Sequence, residues 1–140
     1  MEALNQTVSE AAEKKYRNTS NFFVGGAWLL IAVAVAAPIL SILDSVLEWA
    51  PSFESAEVWF QRSGALTTIF ALLTNQIKEL GSRALHIPGT YGGVVKLQVL
   101  AEFERRFQVI FVIAFCLTVL GTLVWGYGDT AYKYFYLGLR

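Results

Sequence analysis

Between Asn21 and Leu43 the chain reads NFFVGGAWLLIAVAVAAPILSIL, without a single charged side chain. As a helix this stretch rises about 34 Å, more than the roughly 30 Å hydrocarbon core of a bilayer. A second uncharged run, Phe107 to Tyr127 (FQVIFVIAFCLTVLGTLVWGY), lies between Arg105 and Arg106 on one side and Asp129 on the other. Composition points the same way. With 55% hydrophobic residues, 16% charged residues and a mean hydropathy of +0.48, the 140-residue chain is too apolar for an ordinary soluble domain of its size. It reads as an integral membrane protein.

The first run also has a competing explanation, a cleaved signal peptide with AVA at Ala34 to Ala36 as the small-residue site. The preceding segment is long, diluted by Glu2, Glu10 and Glu13, and the apolar run continues past the site through Ile39, Leu40, Ile42 and Leu43. An uncleaved anchor fits better. Pro38 then falls inside the span, where it removes a backbone donor and favours a kink.

The segment EVWFQRSGALTTIFALLTNQIKE, Glu57 to Glu79, has the length of a span but many polar groups. Charge placement decides how to treat it. If it crosses, Lys14, Lys15, Arg17, Lys78, Arg83, Lys96, Arg105 and Arg106 share one side, and Asp44, Glu48, Glu54, Glu57 and Asp129 lie on the other, with only Arg62, Lys133 and Arg140 as cations there. That is the positive-inside distribution, with a cytoplasmic N-terminus. Trp49, Phe53, Trp59, Phe60, Trp125 and Tyr127 would then gather near the outer interface, where amphipathic rings prefer to sit.

The expected fold class is therefore an all-α integral membrane protein with three transmembrane helices, the second and third forming a long hairpin with a cytoplasmic extension. A cytoplasmic amphipathic segment over 1–20 comes first, suggestive of a helix lying on the inner leaflet. Spans follow over 21–49, 57–80 and 107–127, with a cytoplasmic hairpin over 81–106. An outer aromatic tail over 128–140 is expected to lie along the surface as a helix or strand. Val94, Leu97, Leu100, Phe103 and Phe107 repeat at helical spacing through the extension. Localisation would be a bacterial inner membrane.

On a helical wheel the polar content of the middle span is sorted. Gln61, Gly64, Ala65, Thr67, Thr68, Ala71, Thr74, Asn75 and Lys78 fall on one arc, opposite Leu66, Ile69, Phe70, Leu73 and Ile77. Two explanations fit. Small residues allow close helix approach, and Thr and Asn supply interhelical hydrogen bonds; alternatively the face formed by Gln61, Gly64, Ala65, Thr68, Ala71, Asn75 and Lys78 lines a conduit built from several copies. The third span carries a small-residue stripe at four-residue spacing, Ala114, Thr118, Thr122 and Gly126, a candidate oligomer face. Ile110 is expected to face lipid. Arg62, Arg105 and Arg106 are candidates for lipid headgroup contacts by snorkelling.

Other chemistry is thin. His86 and Cys116 are single and far apart, so no metal cluster and no Cys/His nucleophile pair is expected, and neither catalytic residues nor a cofactor site is assigned. The PGTYGG run, Pro88 to Gly93, is turn chemistry and lacks the lysine of a phosphate loop. EFERR, Glu102 to Arg106, is a solvated helix face. Zero formal net charge argues against a nucleic-acid partner.

The element WFQRSGA, Trp59 to Ala65, resembles small bacterial membrane proteins, including ones linked to mobile elements or phage defence; it covers only those residues and implies no site. The polar-striped hairpin is similar in architecture to holin-like pore formers. The expected function is thus a small homo-oligomeric membrane protein, a channel or membrane-permeabilising effector with its second helix facing the central axis. The alternative is a non-conducting anchor, sensor or regulatory subunit of a larger complex. Expected partners are membrane lipids, further copies of the chain, and a protein at the cytoplasmic hairpin.

Overall fold

The computed structural model describes the backbone of residues 2–47, 55–85 and 94–137, and the side chains of 10–43, 55–84, 98–99 and 101–134. Three helices account for nearly all of it: α1 (Glu2–Leu47), α2 (Ala56–Leu85) and α3 (Val94–Leu137). Their boundaries follow local chemistry. At the start of α2 the carbonyl of Ser55, a residue type favoured at N-caps, accepts from the Trp59 amide at 3.1 Å. Glu57 in the first turn and Arg83 in the last both complement the helix dipole.

The helices run up, down and up. With 46, 30 and 44 residues, α1 and α3 are much longer than α2; at 1.5 Å per residue they measure about 69, 45 and 66 Å. α2 lies against both neighbours, while direct contact between α1 and α3 is the least extensive of the three. Two helices, α1 over Glu10–Leu43 and α3 over Ala101–Tyr134, are long and apolar enough to cross a membrane, with mean hydropathies of 2.4 and 2.5.

Packing is graded along the bundle. At the end formed by the start of α3, Val99, Phe103 and Phe107 are buried with Tyr16 and Val24 against them. Midway, Ala27 and Ile31 of α1 meet Ile110 of α3. Toward the opposite end the buried residues become small or polar: Ala34, Ser41, Ser63, Thr67 and Ala71. Large apolar side chains point outward instead, among them Phe22, Leu29, Leu66, Ile69, Phe115 and Leu120. This inverts the usual soluble arrangement.

Several expectations change. The 1–20 segment is not a separate surface helix, because α1 runs unbroken from Glu2 through the apolar stretch. The 128–140 tail likewise continues α3 as far as Leu137 rather than turning along a surface. Both follow from helix propagation, which adds hydrogen bonds at little further entropic cost once a turn exists. The extension of α3 also lies against α1, where Arg17 reaches Glu102 at 3.1 Å. Ile110, expected to face lipid, is fully buried, because the phase of α3 is set by its contact with α1. His86, the PGTYGG run, Trp49 and Phe53 lie outside the described residues, as do the side chains of Val94, Leu97 and Leu100.

Candidate functional site

The polar residues of α2 form two seams, one against each neighbouring helix. The first answers a defect in α1. Pro38 sits inside that helix and has no N–H, so the carbonyl four residues earlier, at Ala34, loses its helical donor. Ala34 is fully buried, where an unpaired carbonyl is costly. Thr67 of α2 donates to that carbonyl at 2.9 Å, sharing its proton with its own Ser63 carbonyl at 3.0 Å. One turn further along, Ser41 Oγ donates to its own Pro38 carbonyl at 2.8 Å and shares that proton with Ser63 Oγ at 3.2 Å, while Ser63 donates to the Phe60 carbonyl at 2.6 Å. Thr74, also buried, donates to the Phe70 carbonyl at 2.9 Å.

Ser63, Thr67 and Thr74 are thus the buried polar positions of α2, and none was among the site residues expected from sequence. The signal for Thr67 was present. A proline in an apolar helix marks the carbonyl four residues before it, and that carbonyl calls for a hydroxyl from a neighbouring span.

The second seam joins α2 to α3 through glycine. A Cβ built on Gly64 would stand 2.5 Å from the Trp125 amide nitrogen and 2.6 Å from the Gly121 carbonyl oxygen. A Cβ on Gly121 would meet Thr68 Oγ1 at 2.6 Å and the Gly64 carbonyl oxygen at 2.8 Å. The two backbones touch, and only glycine permits it. Gln61 Nε2 closes the seam beside them by donating to the Trp125 carbonyl at 2.8 Å.

The expected conduit face is distributed over these contacts. Gly64 and Ala71 are buried, Gln61, Ala65, Thr68, Asn75 and Lys78 are half-buried, and Thr68 donates to its own Gly64 carbonyl at 3.0 Å. Lys78 lies 5.4 Å from the Phe111 ring centroid, a cation–π distance, and 3.8 Å from Glu79. Asn75 Oδ1 is buried and makes no hydrogen bond.

The stripe expected on α3 spirals out of the bundle. Ala114 is fully buried, Thr118 half-buried, and Thr122 and Gly126 exposed, with nothing within 4 Å of a Cβ built on Gly126. Four-residue steps advance about 40° each beyond a full turn, so three of them carry the stripe round about a third of the helix. Seven-residue steps nearly close, and the buried small residues obey them: Ala114, Gly121 and Gly128.

Two grooves open on the outside of the bundle. One, of about 570 Å³, runs between α1 and α2 with Trp59 and Arg62 toward one end. The other, of about 470 Å³, lies among Ile42, Phe60, Leu123 and Tyr127 and has no charged lining. Arg105 and Arg106 are exposed on the extension of α3, with Arg106 5.0 Å above the Phe103 ring. Arg17 links Glu13 at 3.0 Å to Glu102, and Lys133 of α3 meets Glu57 of α2 at 3.2 Å near the opposite end.

Among the described residues no three His, Cys, Asp or Glu side chains gather as a metal site, and Cys116 is exposed on α3. The chemistry on display is recognition through hydroxyls, backbone carbonyls and cations. Comparison of the chain with protein-family models, curated proteins and solved structures finds no match.

Proposed function

We propose that the chain is a non-conducting membrane subunit: three helices cross the bilayer, and the paired extensions of α1 and α3 stand on the cytoplasmic side as a stalk for a protein partner. The observation that carries this reading is the employment of α2. Its polar groups meet α1 through Ser63 and Thr67, and its small face meets α3 through Gly64. A helix engaged on both sides within its own chain has little polar surface left for water.

Membrane residence is supported by the outward display of Phe22 (78% exposed), Leu29 (66%) and Phe115 (58%), which in water would form apolar patches of the kind that drive aggregation. α2 is short and polar for a lipid-facing helix, yet Gln61, Ser63, Thr67, Thr68 and Thr74 all find hydrogen-bond partners within the bundle, and its outward face carries Leu66, Ile69, Leu72 and Leu73. The basic residues near the stalk set the cytoplasmic orientation. Self-association through the exposed Thr122 and Gly126 face is a second reading, favoured by the open space beside Gly126.

The test is thiol accessibility together with conductance. In a Cys116→Ala background, Thr68→Cys should resist a membrane-impermeant maleimide, Arg83→Cys on the cytoplasmic side should react in inverted vesicles, and reconstituted liposomes should hold an ion gradient. Rapid labelling at Thr68→Cys together with collapse of the gradient would overturn the proposal in favour of an α2-lined conduit.

A further inference from the structure

We propose that the groove between α1 and α2 is a binding site for one acyl chain of an anionic glycerophospholipid, whose phosphate is held by Arg62. The inference rests on the membrane placement above and adds to it a specific ligand class.

The groove is a product of sequence. On the α1 side its wall is Val33, Ala36, Ala37 and Leu40, and the two alanines leave depth that larger side chains would fill. On the α2 side Leu66 and Phe70 complete an apolar trough. Close approach of the two helices at the bottom is held by the Thr67 and Ser63 hydrogen bonds, so the trough is preformed. Its volume, about 570 Å³, is in the range of sites that enclose small ligands.

Length and charge select the occupant. From Trp59 to Phe70 the groove follows α2 for about 16 Å, close to the roughly 15 Å depth of one leaflet's hydrocarbon. Arg62 is the one charged residue among those lining it, and it stands toward the end where Trp59 lines the wall. Tryptophan favours the headgroup level, so the cation lies where a lipid phosphate would lie when its chain fills the trough. A guanidinium carries five N–H donors and can clasp a phosphate while keeping another contact. The groove of about 470 Å³ beside Phe60 and Tyr127 has apolar walls but no cation, and so lacks a basis for choosing among headgroups.

The test uses the full chain with Trp28, Trp49 and Trp125 changed to Phe, leaving Trp59 as reporter. It is reconstituted in phosphatidylcholine containing a small, equal fraction of chain-brominated phosphatidylglycerol or chain-brominated phosphatidylcholine. The brominated anionic lipid should quench Trp59 about fivefold more effectively, the factor associated with one basic side chain near an anionic lipid surface. Arg62→Gln should abolish that preference, and Ala37→Leu, which fills the trough and leaves the cation, should weaken quenching by both lipids.

Equal quenching by the two lipids in the parent chain would overturn the site while leaving the membrane placement intact. Quenching by neither would remove both. A preference that survives Arg62→Gln would overturn the assignment of Arg62. Because the comparison of the two lipids needs no substitution at Arg62, the result holds even if that variant folds poorly.

Discussion

Replacing Gly121 with alanine isolates the steric cost of the α2–α3 contact. Its new methyl would sit 2.6 Å from Thr68 Oγ1 and 2.8 Å from both the Gly64 carbonyl oxygen and the Thr68 amide nitrogen. The hydroxyl can rotate aside, but the other two atoms belong to a helical backbone. Ordinary contact begins at 3.4 Å, so α3 must retreat by about 0.6 Å. A gap of that size forfeits a quarter or more of each dispersion contact along the seam, and overpacking of this kind costs about 1–3 kcal/mol. The glycine-to-alanine gain in helix propensity, about 0.8–1.0 kcal/mol, works in the other direction.

Gly126→Ala supplies the control, because the same helix gains the same propensity where nothing lies within 4 Å. Subtracting one from the other cancels the propensity and leaves a steric difference of about 2 kcal/mol. Unfolding of the detergent-solubilised chain by increasing dodecyl sulfate, followed by circular dichroism, measures both variants. A difference below about 0.5 kcal/mol, within the usual effect of an exposed substitution, would refute the close backbone contact.

Three further outcomes follow from the same geometry. Thr67→Val removes the hydroxyl that serves the Ala34 carbonyl and should cost about 1 kcal/mol; in a Pro38→Ala background, where residue 38 recovers its own N–H, most of that cost should vanish, and an additive double-mutant cycle would contradict the pairing. Arg17→Ala should change stability by less than about 1 kcal/mol, since Arg17 and Glu102 are both nearly half exposed and such pairs contribute little; the same titration reads it, and a larger loss would show that the stalk depends on the bridge. Reporter fusions should place a tag after Arg140 outside the cell and a tag inserted near Gly92 in the cytoplasm, and the reverse pair would reject the orientation.

The helices were legible because their signals are long. Asn21–Leu43 and Phe107–Tyr127 contain no charge, and runs of that length admit few alternatives. The sorting of α2 into polar and apolar arcs was also legible, since outward Leu66, Ile69 and Leu73 do lie on the arc opposite Gly64 and Ala71. What the polar arc meets was not. One arc of about 180° touches two different helices, and a wheel has no term for how many neighbours stand around it. The α3 stripe illustrates the same difficulty: spacing by four and spacing by seven both begin at Ala114, and only the position of α2 selects Gly121 over Thr122. Helix ends were the least readable, because neither the junction near residue 20 nor that near residue 128 carries a breaker strong enough to stop a helix already under way.

The stalk has an electrical consequence that its shape alone conceals. From Arg106 to Val94, α3 extends about 18 Å, and from Ser20 to Glu2, α1 extends about 27 Å. Potentials at a membrane surface decay over roughly 8 Å at physiological salt. Under the proposed orientation Arg17, Arg105 and Arg106 sit near the base, within reach of an anionic leaflet, and Glu10, Lys96 and Glu2 fall about two to three such lengths away along the helices. The basic residues at the base are drawn to the bilayer while the charges further out, of both signs, escape its field, and a rise in ionic strength would loosen the first effect without altering the second. Such a stalk carries its outer charges clear of the membrane's own field, into solution where another protein's charge would be the dominant one they meet.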